Sequence, residues 1–461
     1  MTVSLYNTLN RTKEEFKPIH RGKVGLYACG PTVYQNATIG NFRTFLMTDV
    51  LRRTLEFNGY EVRHVMNITD VGHLTDDGDE GEDKMMVTMR KEGKSAWDIA
   101  EFYTKRFLKD MERLNIVRPT VMPKATEHIS EQIELIKLLE EKGFTYRTSD
   151  GVYFETSKFE AYGKFSGQNL EEKEAGTRVE ANPEKHNPSD FALWKYSKPE
   201  EKRQMEWDSP WGVGFPGWHI ECSAMSEKYL DSPFDIHTGG IDLKPVHHEN
   251  EIAQTTAAHG NALANYWLHG EFLLIDNGKM SKSLGNVYIV EDLILKGFEA
   301  LAYRYFSFTA HYRTKLNFTW EALEAAQNAL NNLRDVVRDW DEPTDFDKDA
   351  IQRFLLKLND DLDMPGAIAE VWGLVNDESI ESSIKSATIL KIDEVLGFNL
   401  IDYVSKPVKV SDKIRKLLED RKVARENKDW NASDVLRDQI ADAGYMVEDT
   451  SSGQKVRERH D

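Results

Sequence analysis

Residues 23–69 read KVGLYACGPTVYQNATIGNFRTFLMTDVLRRTLEFNGYEVRHVMNIT and give the clearest indication of the fold class. The opening KVGLYACG is a short apolar run that ends in Gly-Pro and predicts a strand. GNFRTFLMTDVLRRTLEFNG keeps its apolar side chains at helical spacing and ends at Gly59, which suits the position after a helix. YEVRHVMNIT predicts a second strand. Strand, helix and strand within about 45 residues indicate a βαβ unit, the start of a parallel sheet.

The composition narrows the class of protein. Two cysteines in 461 residues do not make a disulfide framework, which favours a reducing cytoplasm. The first residues, MTVSLYNTLNRTKEEF, lack a basic segment followed by an apolar one, so we expect no signal peptide. No apolar run is long enough to predict a membrane span or a membrane partner. The net charge of −19 argues against a nucleic-acid partner, yet residues 403–461 carry 13 basic and 12 acidic side chains and are nearly neutral.

The rest of the chain changes character along its length. TEHISEQIELIKLLEEKGF predicts a helix that ends at Gly143, DGVYFETSKFEAYGKFSG predicts a hairpin, and residues 169–188 predict a loop. The acidic run DDGDEGED lacks the ligand order of a calcium loop and predicts a solvated loop. From Asn286 onward the apolar spacing is almost entirely helical, and VSKPVKVS then separates a small C-terminal unit.

Two short stretches suit phosphate binding. ATIGN lies where the first connection becomes a helix, and free N–H groups and the helix dipole attract anions there. Gly40 lets a phosphate approach the backbone, and Thr38 and Asn41 offer side-chain donors. On these residues alone a simple helix cap is the better interpretation. KMSKS adds Lys279 and Lys282 in a loop that can hold the β- and γ-phosphates of ATP, which favours a phosphate site.

Together the two stretches resemble HIGH and KMSKS, the paired signatures of class I aminoacyl-tRNA synthetases. The first signature departs from the family, since Thr38 and Asn41 replace both histidines. These side chains keep hydrogen-bonding capacity but cannot carry a positive charge. The resemblance implies that Thr38, Asn41, Lys279 and Lys282 act on the reacting phosphates.

Both cysteines lie near other side chains that bind metals. Cys29 follows the first strand, and Cys222 lies in PGWHIECSAMS. If VHHENEIAQTTAAHG is helical, His247 and Glu251 are four residues apart and share a face. Thiolate, imidazole and carboxylate all suit Zn²⁺. Because no C-x-x-C spacing is present, the pattern alone favours a packing role for Cys29 and a solvated helix face for His248 and Glu249 over a metal site.

A more specific resemblance extends over nearly the whole chain. CGPTVY, NITD, PGWHIECSAM, HTGGIDL, HHENEIAQ and KMSKSLGN occur in the order found in cysteine–tRNA ligases. The resemblance implies one zinc ion per chain at the floor of the amino-acid pocket, held by Cys29, Cys222, His247 and Glu251. It implies that His248 and Glu249 support these ligands. It also implies two further sets, Thr69 and Trp218 at the substrate, and Gly40, His237, Gly240, Asp242 and Lys282 at ATP. For Trp218, core packing is an almost equal alternative.

The family fold is α/β: a class I synthetase Rossmann-like parallel sheet with an insertion, then a helical bundle and a small C-terminal anticodon-binding unit. We therefore expect a first catalytic half over residues 1–115, an insertion over 116–205 and a second catalytic half over 206–285. A stem-contact and helical bundle domain over 286–402 and the anticodon-binding unit over 403–461 would follow. Val456 stands where the family leads us to expect Trp, which puts base stacking at that position in question.

The resemblance implies activation of L-cysteine by ATP with Mg²⁺, followed by transfer to tRNA(Cys). Zinc binds a thiolate better than a hydroxyl, so it would separate cysteine from serine. We expect a cytoplasmic monomer. Two alternatives stay open, a ligase that joins cysteine to a small amine and a non-catalytic relative that binds tRNA or zinc. The C-terminal unit disfavours the first, and the intact KMSKS disfavours the second.

Overall fold

The computed structural model describes residues 2–74, 82–167, 182–198, 203–281, 284–450 and 453–458. The strands are β1 Ser4–Asn7, β2 Thr12–Glu15, β3 Lys23–Ala28, β4 Glu61–Met66, β5 Thr145–Arg147, β6 Gly151–Phe154, β7 Phe191–Tyr196, β8 Gly214–Pro216, β9 Phe234–Gly240, β10 Ala264–Gly270, β11 Leu273–Ile275, β12 Gly278–Lys279, β13 Leu316–Phe318, β14 Tyr445–Thr450 and β15 Gly453–Glu458. The α-helices are α1 Ile39–Phe57, α2 Lys84–Glu92, α3 Ala96–Arg113, α4 Ile129–Glu141, α5 Trp218–Leu230, α6 Glu249–His259, α7 Val290–Leu295, α8 Ala300–Ser307, α9 Trp320–Arg338, α10 Lys348–Leu358, α11 Met364–Asn376, α12 Ser382–Leu396, α13 Asp412–Glu426 and α14 Trp430–Asp442.

A four-stranded parallel sheet in the order β10-β9-β3-β4 forms the centre of the first part of the chain. Tyr27 of β3 lies between His237 of β9 and Val65 of β4. Helix α1 connects β3 to β4, so the predicted βαβ unit is confirmed. Because β3 and β9 are parallel neighbours, their carboxyl ends open at the same edge of the sheet, where α/β proteins bind ligands.

Helix α1 begins and ends as its sequence predicts. Thr38 is the N-terminal cap, and Asn58 ends the helix. Gly59 follows with a φ of 87°, a left-handed conformation that glycine adopts without steric cost. In its middle, the buried carboxylate of Asp49 is paired with the equally buried Arg304 of α8, with 2.6 Å between Oδ2 and a guanidinium nitrogen. This ion pair connects α1, which begins in the ATIGN stretch, to α8, which follows the KMSKS loop in the chain.

An antiparallel sheet in the order β5-β6-β7-β8 takes three strands from the predicted insertion and its fourth, β8, from the predicted second catalytic half. The predicted hairpin over residues 150–167 is wrong. Strand β6 pairs with β5 before it and β7 after it, and the residues that follow Phe154 form turns. Their aromatic side chains, Phe159 and Tyr162, pack against a core that this sheet shares with α4, α5 and α6, which explains the apolar spacing without a strand. Helix α4 ends before Gly143, with φ 78°, as predicted.

Two other loop predictions fall partly outside the described residues. Of the predicted loop over 169–188, residues 182–188 form turns and the others are not described. Of the acidic run over 76–83, only the last two residues are described. Asp83 is not solvated there. It is buried, caps α2 by accepting from the N–H groups of Met85 and Met86, and pairs with Arg203.

The chain divides into two compact units, Met1–Thr319 with Leu356–Pro365, and Trp320–Leu355 with Gly366–Asp461. The second unit contains a small core after the VSKPVKVS break, centred on Ile414, Leu418 and Ile440. Val456 packs against this core from β15, as an aliphatic side chain suits. The five domain boundaries inferred from the sequence stay a prediction. The described part of the chain holds no helix whose length and hydropathy would suffice to span a bilayer.

Candidate active site and metal cluster

A cavity of about 640 Å³ opens at the carboxyl ends of β3 and β9. Its lining unites residues that are far apart in the chain: Cys29, Thr38, Gly40, Asn41, Trp218, Gly240, Asp242, Lys279 and Met280. The same cavity is therefore lined by the ATIGN stretch, the end of β9 and the KMSKS loop. A cavity of this size suits a nucleotide-sized ligand.

At one end of the cavity, Thr38 and Asn41 cap α1 reciprocally. Thr38 Oγ1 accepts from the Asn41 N–H at 3.2 Å, and Asn41 Oδ1 accepts from the Thr38 N–H at 2.9 Å. This is a capping box, in which each side chain satisfies a backbone donor of the other. Both residues still line the cavity. The cap and the candidate phosphate site are thus the same structure.

The KMSKS loop meets this helix end at Gly40. A Cβ placed on Gly40 would lie 3.5 Å from Met280 Cε, so the loop packs directly over the glycine. The exposed Lys279 lies on β12 and lines the same cavity. Lys282 lies outside the described residues. The structure therefore brings the first half of the loop onto the start of α1, where Lys279 adds a positive charge.

Beyond the phosphate end, Gly240 and Asp242 form another part of the wall. A Cβ on Gly240 would come 2.2 Å from Asp242 Oδ1, so the carboxylate folds closely over the glycine. His237, three residues earlier on β9, does not join them. Its ring is fully buried, stacks on Trp267 at 4.3 Å between centroids, and places Nε2 2.8 Å from Glu251 Oε2. The structure thus places His237 with the metal cluster, and its contact with ATP stays a prediction.

The four expected zinc ligands converge where Cys29 lines the cavity. Cys29 Sγ lies 4.0 Å from Cys222 Sγ and 3.8 Å from Glu251 Oε1. His247 Nε2 lies 3.4 Å from Cys222 Sγ and 3.0 Å from Glu251 Oε1. Tetrahedral zinc, with bonds of about 2.0–2.3 Å, separates its ligand atoms by about 3.3–3.8 Å. The donor set and its spacing therefore fit a zinc ion.

The local backbone explains how two adjacent histidines reach this cluster. Residues 244–248 form one π-helical turn that runs directly into α6. His247 faces Glu251 across one turn, as its predicted i,i+4 spacing requires. His248 points to Cys29, with Nε2 at 3.3 Å from Sγ, while its Nδ1 lies 2.8 Å from His269 Nε2. Such π turns occur frequently at functional sites.

A second set of donors overlaps the first. Cys29, His237, His248 and Glu251 also lie close enough together to hold an ion. Sequence reasoning placed His237 at ATP and did not consider His248 as a donor. The pairing of the strand that contains His237 with β3 could have placed His237 near the cluster, because Cys29 directly follows β3. Glu249 supports the region differently, by accepting from the N–H groups of Gly163 and Ser166 in the insertion.

Charge within the cluster also fits a cation. Burial raises the pKa of the Cys29 thiol, whereas the hydrogen bond from Cys29 lowers the pKa of Cys222 to about 7. Burial opposes ionisation of Glu251, but His237 and His247 outweigh it and lower the carboxyl pKa to about 2. Burial lowers the pKa of His247, but Cys222 and Glu251 outweigh burial and raise that pKa to about 10, so one imidazolium already faces the thiols and the carboxylate where a metal cation would otherwise supply the positive charge.

The two expected substrate residues lie beside the cluster. Trp218 is the first residue of α5, lines the cavity, and has its ring centroid 5.2 Å from that of His247. Thr69 is buried behind the cavity wall and is not among its lining residues; its backbone pairs with residues 31–33, of which Pro31 and Thr32 line the cavity. Its hydroxyl donates to Glu221 at 3.0 Å. Sequence reasoning did not identify Glu221, which shares α5 with Cys222.

Two family models cover most of the chain. Residues 15–328 match the tRNA synthetases class I (C) catalytic domain, and residues 409–457 match the cysteinyl-tRNA ligase anticodon binding domain. Cysteine–tRNA ligase 1 of Burkholderia lata is 51% identical over 457 residues, which cover 99% of this chain and 97% of the relative. Cysteine–tRNA ligase of Treponema denticola is 46% identical, with 97% and 98% covered.

Solved structures agree on the fold. Mycobacterium tuberculosis methionyl-tRNA synthetase in complex with methionyl-adenylate gives a TM-score of 0.56 at 15% identity, and covers 83% of this chain and 92% of its own. The leucyl enzyme from Agrobacterium radiobacter K84, solved in a ternary complex, gives 0.57 at 12% identity, with 83% and 84% covered. The class I synthetase fold is thereby shown. From the family matches and the two full-length relatives, we conclude that the chain belongs to the cysteine–tRNA ligases, a family of class I tRNA synthetases.

Proposed function

We propose that the protein activates L-cysteine with ATP, which yields cysteinyl-adenylate and pyrophosphate, and then transfers the cysteinyl group to the terminal ribose of tRNA(Cys) with release of AMP. One observation carries the proposal. A single cavity has a zinc-type donor set at one end and a capped helix N-terminus under the KMSKS loop at the other. A cysteine whose thiol is held at the first end would direct its carboxylate toward an ATP phosphate held at the second.

The phosphate end would work by position and charge. The positive end of the α1 dipole and the ammonium of Lys279 would attract the phosphates of ATP, which Mg²⁺ accompanies. Lys282 would add a second ammonium from the same loop. Gly240 and Asp242 suit the ribose, since a carboxylate accepts hydrogen bonds from its hydroxyls. No covalent intermediate with the protein is required, because correct placement of carboxylate and α-phosphate supplies much of the rate.

At the amino-acid end, Cys29, Cys222, His247 and Glu251 would hold one zinc ion per chain. Bound zinc would supply a soft Lewis acid that prefers a thiolate to a hydroxyl. An apolar pocket alone separates such near-isosteres only about 10²-fold. Glu251 would be the weakest of the four ligands, because its second oxygen is held by His237 at 2.8 Å. Trp218 would cover the pocket and exclude water from it.

The C-terminal unit over residues 403–461 would bind the anticodon end of tRNA. The match to an anticodon-binding family model over residues 409–457 favours tRNA over a small amine as acceptor. The unit is nearly neutral while the rest of the chain is strongly acidic. Binding of tRNA, a polyanion, would therefore depend on local contacts in this unit. We propose a cytoplasmic monomer with the five domains defined from the sequence.

The test is cysteine-dependent exchange of pyrophosphate into ATP, measured with and without tRNA(Cys) and with serine as a competing substrate. We expect exchange without tRNA, charging with tRNA, and little response to serine. Pyrophosphate exchange without any charging of tRNA(Cys) would favour the alternative of a ligase that joins cysteine to a small amine. Zinc binding without exchange would favour a non-catalytic relative.

A further inference from the structure

A lysine that no step above uses lines the same cavity. Lys315 is exposed and lies directly before β13, two residues after Arg313. Arg313 has a structural role, since its guanidinium pairs with the buried Asp361 at 2.7 Å. The ammonium of Lys315, by contrast, has no carboxylate partner in the part of the chain that the structure describes. The cavity wall therefore carries a cation that no ion pair among the described residues uses.

The register of the small sheet β12-β11-β13 places Lys315 on the same face as Lys279. Leu274 of β11 is paired with Lys279 on one side and with Asn317 on the other. Paired residues share a face of a sheet, and so do residues two positions apart along an extended chain, which puts Lys315 on the face of Asn317. The strands of the two lysines are two strand spacings apart, about 10 Å. The lysines thus flank Leu274 on the face that lines the cavity.

This wall of the cavity is fixed to the helix that begins at the candidate phosphate site. The guanidinium of Arg43, which is buried on α1, donates to the carbonyl oxygen of Phe272 at 2.6 Å. It also donates to the carbonyl oxygen of Thr314, which directly precedes Lys315. One side chain of α1 therefore sets the position of Lys315 relative to the start of that helix.

The cap of α1 supplies no side-chain charge to this end of the cavity. Thr38 and Asn41 are neutral, and Thr38 Oγ1 donates to Asn41 Oδ1 at 2.8 Å. The hydroxyl donor of Thr38 is thus used inside the cap. A triphosphate is bound more tightly where ammonium groups surround it, because hydrogen bonds between charged partners are the stronger ones.

We infer that Lys315 binds the triphosphate of ATP together with Lys279 and supplies positive charge that the cap formed by Thr38 and Asn41 lacks. The inference rests on the proposed function, and it deepens that function by adding an ATP-binding residue from outside the ATIGN and KMSKS stretches. Because Lys315 is exposed, its attraction for the phosphates falls as the ionic strength rises. The alternative is a lysine that is only solvated at the cavity wall.

The experiment measures binding of α,β-methylene-ATP with Mg²⁺, and separately of adenosine, by calorimetry of the full-length protein at low salt. Lys315→Ala should weaken binding of the triphosphate about tenfold, the lower end of the range for a lost hydrogen bond to a charged group. Binding of adenosine, which lacks the phosphates, should not change. Lys315→Arg should retain most of the wild-type affinity, and added salt should reduce the difference between Lys315→Ala and wild type.

Lys23→Ala is the matched control. Lys23 is equally an exposed lysine, but it begins β3 and so lies at the amino end of the parallel sheet, away from the cavity. Its removal takes the same charge from the protein and should change neither affinity. Equal weakening of triphosphate binding in Lys23→Ala and Lys315→Ala would mean that only the net charge matters, which would overturn the inference.

An unchanged affinity of Lys315→Ala for the triphosphate would also overturn the inference, and so would equal losses for the triphosphate and for adenosine. A variant that binds the triphosphate normally and only has a higher KM for tRNA(Cys) would assign Lys315 to the tRNA instead. Because the readout is equilibrium binding, a wild-type protein that binds the triphosphate but exchanges no pyrophosphate would contradict the proposed function alone. A wild-type protein that does not bind the triphosphate would overturn both.

Discussion

Removal of one zinc ligand tests the amino-acid end of the site most directly, and Cys222→Ala is the cleanest change. The Cys222 side chain is buried on α5, and its Sγ lies 3.4 Å from His247 Nε2 and 4.0 Å from Cys29 Sγ. Alanine keeps the helix and removes only the sulfur. The three other donors stay in place, since each is held by its own strand, turn or helix.

The expected loss follows from the number of donors. Structural zinc sites with four ligands bind with about 10–16 kcal/mol of apparent free energy. If the four share this equally, one thiolate contributes about 3 kcal/mol, which corresponds to about 10²-fold weaker metal binding. Cysteine activation should fall with metal occupancy, and the preference for cysteine over serine should drop to about 10²-fold or less.

The assay measures zinc per chain by mass spectrometry after passage over a weak chelator, together with cysteine-dependent pyrophosphate exchange. Wild-type protein stripped with a strong chelator is the control. It should match Cys222→Ala in activity and in melting temperature, because both lack the ion. If the variant retains a full equivalent of zinc with wild-type activity, or if stripped wild-type protein stays fully active, the metal reasoning is refuted.

Three further predictions concern other parts of the molecule. Thr38→Ala and Ser95→Ala each remove a helix cap and should each cost about 1 kcal/mol in urea unfolding, but only Thr38→Ala should raise the KM for ATP; equal effects on KM would contradict the phosphate site. His64 is buried, neither of its ring nitrogens has a hydrogen-bond partner among the described residues, and burial lowers its pKa to about 3. Between pH 6.5 and pH 3 the unfolded chain therefore binds more protons at His64 than the folded chain does. Lowering the pH from 7 to 5 should decrease the free energy of unfolding by about 2 kcal/mol through this group. His64→Leu should abolish this contribution, as urea unfolding at both pH values would show. Deletion of residues 409–461 should preserve pyrophosphate exchange and sharply reduce tRNA charging, and salt should inhibit charging more than exchange in the full chain; a truncated protein that charges normally would exclude the anticodon role.

Much of the fold was predictable because its signals are local. The period of the apolar side chains places β3, α1 and β4, and Gly59 marks the end of α1, since only backbone geometry near each residue is involved. The i,i+4 spacing of His247 and Glu251 is of the same kind, and the structure bears it out at 3.0 Å. The predicted hairpin after Asp150 failed because strand pairing is not local: β6 takes its partners from both sides along the chain.

The chemistry of the site could be anticipated from residue types alone: two cysteines, the paired histidines with their acidic neighbours, and the ATIGN and KMSKS stretches. Which of these residues lie in contact became visible only in the folded chain. Cys29 and Cys222 are 193 positions apart, and Thr69 and Glu221 are 152 apart, yet each pair is in contact. The physical reason is the strand order, because β9 lies beside β3 and so brings His237 to the cluster. The spacing of apolar residues within either strand does not reveal that the two strands are neighbours.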